Sequence, residues 1–138
     1  MGEKEIAYEG HVKYLGVILD CKLSFKHHII EKSKKAIHIM NMARGAIGKL
    51  WGPGVKQMKW MYETMVHPII TYGAIVWAHK AGLHMRYLQR AQRMALLCHG
   101  AYAKSTLSLG LEVLWGYMPL DLRAVSYTHL TLPTTPYV

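Results

Sequence analysis

The sequence predicts a mainly α fold: a helical bundle preceded by a short β-strand or hairpin. Three observations carry that prediction. From His27 to Leu50 apolar residues recur at spacings of three and four. Breaks rich in Gly and Pro, above all Trp51–Gly54 ("WGPG"), separate one helical stretch from the next. β-Branched and aromatic residues concentrate in one early run, "VKYLGVIL" at residues 12–19.

That run reads as a strand, with Gly16 serving a bulge or a close backbone approach, and Asp20 marks the turn after it. The first helix follows. Ile29, Ser33, Ala36, Met40, Ala43 and Ile47 fall on its inner face, with His27, Glu31, Lys34, His38, Asn41, Gly45 and Lys49 opposite. After the break, Val55, Met58, Met61, Tyr62, Met65 and Val66 form the apolar face of a second helix, which Pro68 should kink or end. "IITYGAIVWA", residues 69–78, is apolar on all sides and predicts a buried continuation, helix favoured over strand.

A third helix is predicted from Leu83 to His99, with Leu83, Tyr87, Ala91, Met94 and Cys98 inward and Arg86, Arg90 and Arg93 outward beside Gln89 and Gln92. Ser105 is a candidate cap for a short helix running to about Trp115, and Pro119 suits the first position of another. Residues 126–138 hold no Asp, Glu, Lys or Arg and do not continue the helical period. The methionines on apolar faces read as core filler, whereas Trp60 falls on a polar face where it could stack on a base or pack on a neighbouring domain.

Composition bounds the function. Lys and Arg number 17 against 8 Asp and Glu, a formal charge of +9, which fits nucleic acid or an anionic membrane surface as partner. Cys21 and Cys98 have neither zinc-ribbon spacing nor the density of a secreted scaffold, so a reducing compartment is expected. The opening "MGEKEIAYEG" resembles no signal or transit peptide. The longest uncharged apolar stretch, Thr64–Ala78, falls short of the roughly 20 residues that span a bilayer. An intracellular protein of nucleus or cytoplasm, not secreted and without a membrane partner, is therefore expected.

Catalysis by this chain is not expected. Divalent metals that serve phosphoryl chemistry need converging carboxylates, and outside Glu3 and Glu5 the sequence holds no close acidic pair. No HExxH, finger-type His/Cys set, GxSxG or Walker loop is present, and His27–His28 read as surface histidines at a helix start. No metal or cofactor is assigned to the chain. The candidate binding residues are instead basic: Lys34, Lys35, Lys49, Lys56 and Lys59 on the first two helices, and Arg86, Arg90 and Arg93 on the third. A solvated face of an amphipathic helix is the alternative for each group.

Four blocks in order point further. "VKYLGVILDCKLSFKHHI" (residues 12–29), "VHPIITYGAIVWA" (66–78), "LQRAQRMALLCHGAYAKST" (88–106) and "LEVLWGYMPLDLRA" (111–124) resemble the end of the palm and the thumb in reverse transcriptases of non-LTR, LINE-like retrotransposons. The resemblance implies a polymerase-thumb-like helical unit over residues 26–125 after a palm-edge β element over residues 1–25, with a tail over residues 126–138 that is unlike the family and reads as non-native or disordered sequence. It also implies that Tyr14, Leu15 and Gly16 lie in the primer-grip region and that the partner is an RNA/DNA hybrid or another nucleic-acid duplex. The catalytic aspartates and their Mg²⁺ would belong to the missing palm and fingers of a parent RNA-directed DNA polymerase. Cys98–His99 and the arginine-poor "AKST" depart from that pattern, which weakens a phosphate role for Lys104. A helical interaction module docking a missing domain through residues 69–77 is the alternative.

Overall fold

The computed structural model describes residues 9–46, 52–99 and 102–131. It is mainly helical behind a short hairpin, as the sequence predicts. Strand β1 (His11–Tyr14) pairs antiparallel with β2 (Val17–Asp20), His11 opposite Asp20 and Tyr14 opposite Val17. Of the two expected forms, strand or hairpin, the run adopts the hairpin. Leu15 and Gly16 both hold positive φ, 46° and 79°, the backbone that a two-residue turn needs to match the twist of its strands.

Helix α1 (Lys26–Gly45) buries His28, Ile29, Ser33, Ala36 and Met40, so the inner face read from spacing is the observed one. Ile47, Lys49 and Trp51 lie outside the described residues. Asp20 organises the entry to α1. Its carboxylate accepts from Ser24 Oγ at 2.6 Å, Ser24 N–H at 3.2 Å and Phe25 N–H at 2.9 Å. Although burial works to raise the Asp20 pKa, these hydrogen bonds outweigh it and hold the carboxyl below its ordinary value. The clamp stabilises left-handed backbone at Leu23 and Phe25, which costs a non-glycine residue about 1–2 kcal/mol. That conformation turns the Phe25 ring into the core.

Helix α2 (Val55–Met61) continues through a π turn (Tyr62–Val66) into α3 (His67–Thr71). Pro68 was expected to kink or end the helix. Instead the wide turn comes first, with His67 N–H donating to Tyr62 O, and it re-registers the ladder so that the missing proline donor falls in the first turn of α3. Tyr72 and Gly73 (φ 69°) then break the chain before α4 (Ala74–Trp77). The prediction that this segment is buried all round is corrected: Ile70, Ala74 and Trp77 are in the core, but Ile75 and Val76 are 55% and 46% exposed. Short helices separated by a turn cannot turn every side inward.

Helix α5 (Met85–His99) packs most extensively on α1, where Ser33 Oγ donates to Tyr87 O at 2.6 Å. Its inner face is wider than the one expected and turned from it. Ala91 and Cys98 are buried as expected, and Met85, Leu88, Gln92, Ala95, Leu96 and His99 join them, while Tyr87 and Met94 are half-buried and the Leu83 side chain lies outside the described residues. Two neighbours explain the wider stripe, because α6 (Ser108–Trp115) and α7 (Leu120–Thr131) cover a second side of α5. Gln92, expected beside the arginines, is buried because Glu112 on α6 accepts from its Nε2 at 3.0 Å.

The predicted cap at Ser105 is also displaced, since α6 starts at Ser108. It ends at Gly116 (φ 67°), where Tyr117 N–H reaches Glu112 O at 2.8 Å. Pro119 directly precedes α7, whose backbone stays helical past Ser126 to Thr131, further than the lost periodicity implied. Residues 132–138 of the tail lie outside the described residues.

Candidate nucleic-acid interface

The hairpin, α1 and α3 meet at Tyr72. Its hydroxyl donates to Leu15 O at 2.7 Å, and its carbonyl accepts from Trp77 Nε1 at 2.9 Å and from His28 Nε2 at 3.4 Å. Ile18 N–H donates to His28 Nδ1 at 3.4 Å, which fixes the tautomer with its proton on Nε2. His28 is therefore no surface histidine. It is fully buried, and desolvation holds its pKa below the ordinary value. His27, beside it, is exposed and stacks on His11 with ring centroids 5.3 Å apart.

Two glycines allow this close approach. A Cβ on Gly16 would come within 3.1 Å of the Tyr72 ring, and one on Gly73 within 3.0 Å of the Val17 side chain. The first two blocks of the resemblance, "YLG" and "TYG", thus rest against each other through Gly16 on Tyr72. Tyr14 and Leu15 point their side chains outward, 66% and 76% exposed.

Beside this junction lies an open cleft of about 330 Å³, lined by Lys13, Lys32, Lys35, Gly16, Tyr72 and the Pro68–Ile69 shoulder. Lys32 Nζ sits 4.8 Å from the centre of the Tyr72 ring. Burial pushes the Lys32 pKa down, with Lys35 and Lys13 acting in the same direction and Glu31 opposing them. Crowded ammonium groups of this kind attract an anion to relieve their repulsion. Glu31 lies 3.9 Å from Lys13 Nζ in an exposed pair.

The candidate cations separate into three situations. Lys35 joins the cleft, whereas Lys34, Lys56 and Arg90 are exposed on helix faces, as is Arg86, which also takes part in an interaction within the fold. Lys59 and Arg93 are engaged by the fold: Lys59 Nζ reaches Trp115 O at 3.4 Å and lies over the Tyr117 ring, and Arg93 donates to Ser108 Oγ and, at 2.7 Å, to Lys104 O. Lys49 lies outside the described residues. Lys13, Lys32 and Tyr72 are the members of the cleft that spacing did not single out. Lys32 stands one turn from Lys35, a signal that could have been used; Lys13 and Tyr72 depend on the hairpin folding back.

The charge distribution is one-sided. Lys26, Lys32, Lys34, Lys35 and Arg44 on α1 and Arg86, Arg90 and Arg93 on α5 share those two helices with a single carboxylate, Glu31. Glu63, Glu112 and Asp121 stand on the π turn, α6 and α7. Among the described residues no three His, Cys, Asp or Glu side chains converge to hold a metal ion, and no helix is long and apolar enough to cross a membrane.

Fold and site together define a basic, helical unit fronted by a hairpin, with a cationic cleft at the hairpin junction. Over most of its length the chain is similar to Pol polyproteins of type-1 retrotransposable elements. It is 28% identical over 123 residues, 86% of the chain, to the Retrovirus-related Pol polyprotein from type-1 retrotransposable element R1 of Bradysia coprophila. Two such polyproteins of Nasonia vitripennis, from elements R1 4 and R1 3, are 29% identical over 124 residues and 24% identical over 146 residues, covering 89% and 99% of the chain. These relatives support a non-LTR retrotransposon origin. The chain spans 12%, 31% and 38% of their respective lengths. No protein-family profile and no solved structure matches it.

Proposed function

We propose that this chain is the thumb-side segment of a retrotransposon RNA-directed DNA polymerase, and that it grips the backbone of the template–primer duplex without performing chemistry itself. The observation that carries the reading is the cleft in which Lys13, Lys32 and Lys35 converge beside the hairpin turn of Tyr14, Leu15 and Gly16. Phosphates are the partners that three clustered ammonium groups suit, and contacts of that kind position a duplex without reading its sequence. Lys34 and the exposed Arg86 add further positive charge on α1 and α5. Catalytic carboxylates and Mg²⁺ would be supplied by the parent's palm, the missing fingers completing the channel, and no step of the grip runs through a metal.

Fluorescence anisotropy of a labelled RNA/DNA hybrid, titrated with the chain at several salt concentrations, tests this. The wild type should bind with a steep salt dependence. Replacing Lys13, Lys32 and Lys35 with alanine should shallow the log–log slope by roughly 0.9 for each phosphate no longer neutralised on a B-form duplex, with a similar order on a hybrid. An unchanged slope removes the cleft from the interface.

The exposed Ile75 and Val76 on α4 favour a second reading, a helical module whose apolar segment docks a further domain. Sedimentation velocity separates the two. Self-association that Ile75→Ser abolishes, together with absent hybrid binding at low salt, would favour the module.

A further inference from the structure

On the other flank of α1 lies a second groove, about 390 Å³, whose composition differs from that of the cleft. Its floor is aliphatic, built from Ile37 on α1 and Met94 and Leu97 on α5, and its rim carries Arg44, Arg90 and Lys104. Arg93 shapes the end of the groove. By donating to Lys104 O at 2.7 Å and to Ser108 Oγ it pins the 102–107 connection against α5, which holds the Lys104 position at the rim.

We propose that this groove docks an acidic amphipathic segment of a partner protein, with an apolar side chain seated on Ile37, Met94 and Leu97 and flanking carboxylates paired with Arg44, Arg90 and Lys104. Charge complementarity is the first reason, because no carboxylate is among the described residues lining the groove. Guanidinium groups match carboxylates with two parallel hydrogen bonds, and an adjoining apolar floor excludes water that would weaken them. The floor is the second reason. A duplex backbone presents alternating phosphates and sugars, a poor cover for three adjacent apolar side chains, and a single strand seeks aromatic rings on which to stack its bases, whereas no aromatic residue is among the described residues lining this groove. An apolar face flanked by acids, laid between two helices, satisfies both halves of the site.

The test uses the whole chain and three fluorescein-labelled probes: a short peptide with two leucines and a phenylalanine set among Asp and Glu, the same peptide with those three residues changed to serine, and a single-stranded DNA oligonucleotide of equal charge. The apolar-acidic peptide should bind, weaken about tenfold in Arg90→Glu and again in Arg44→Glu, and exceed the serine peptide about tenfold on the unchanged protein. Methyl NMR of the unchanged protein gives a second readout that no misfolded variant can spoil, since the peptide should shift the Ile37 and Met94 methyl signals. Equal binding of the serine peptide, unmoved methyl signals, or charge reversals without effect would overturn the proposal. So would the oligonucleotide binding more tightly than the peptide with the same dependence on Arg44 and Arg90. Because neither Lys32 nor Lys35 lines this groove, Lys32→Ala/Lys35→Ala should leave peptide binding intact whatever it does to hybrid binding.

Discussion

The two flanks of α1 use the same residue type for different ends. On the α3 flank the polar work is done by Tyr72, His28 and Asp20, which hold a turn and two strained entries in place and leave Lys13, Lys32 and Lys35 facing the cleft. On the α5 flank a cation does the bracing itself, since Arg93 is bonded to the 102–108 connection while Arg90, one turn earlier, lies on the rim. Regular spacing along a helix therefore does not assign a common role. What assigns it is whether a carbonyl or hydroxyl of a neighbouring segment comes within reach of the guanidinium.

The largest way to stress that comparison is acid. Burial, aided by Arg123, holds the His67 pKa at about 4, and burial also lowers those of His28 and His99. The unfolded chain takes up protons on these imidazoles first, so the stability they confer is complete above about pH 6.5 and is lost as pH falls towards 4, with His67 accounting for about 3 kcal/mol. Urea midpoints measured from pH 7.5 to 4.5 should fall steadily. Because His28 ties Ile18 to Tyr72 and no histidine is among the described residues lining the α5 groove, hydrogen exchange should quicken at the hairpin before it does where α1 packs on α5.

His28→Ala comes next. It leaves the Ile18 amide without its acceptor and opens a cavity at a buried site, at a cost of about 3 kcal/mol by urea unfolding. Gly16→Ala should cost about 2 kcal/mol, because the turn needs φ near 79° and the new methyl meets the Tyr72 ring at 3.1 Å. A smaller loss would show that the hairpin can lift from Tyr72 without disturbing the core. Arg93→Ala on the opposite flank should cost only about 1 kcal/mol, while amide exchange in the 102–107 connection accelerates. Smallest is Tyr72→Phe, which removes one exposed hydrogen bond to Leu15 O, worth about 0.5 kcal/mol. If Arg93→Ala proved costlier than His28→Ala, the contrast between the flanks would be reversed.

Helical elements and their solvent faces were legible wherever one neighbour decides burial. α1 is the clear case, because its apolar period and its observed inner face agree at Ile29, Ser33, Ala36 and Met40. α5 was legible as a helix but not in rotation, since packing on two sides buries Gln92 and half-exposes Met94. The cleft was partly legible: Lys35 and the Tyr14–Gly16 turn stood out in the sequence, whereas Lys13, Lys32 and Tyr72 join it only after the chain reverses at Leu15–Gly16.

By itself the amino-acid order determined the mainly helical class, the inner face of α1, the positive balance and the order of blocks that resembles a retrotransposon polymerase. Those properties depend on local period, side-chain charge and short-range pattern, which survive in an unfolded chain. Only the tertiary structure decided that His28 is a buried clamp, that Arg93 is a brace, and that the Tyr-Leu-Gly turn rests on the Tyr-Gly break far along the chain. A hydrogen bond or a close approach between distant segments is set by where their backbones come to lie, and no local pattern contains that distance.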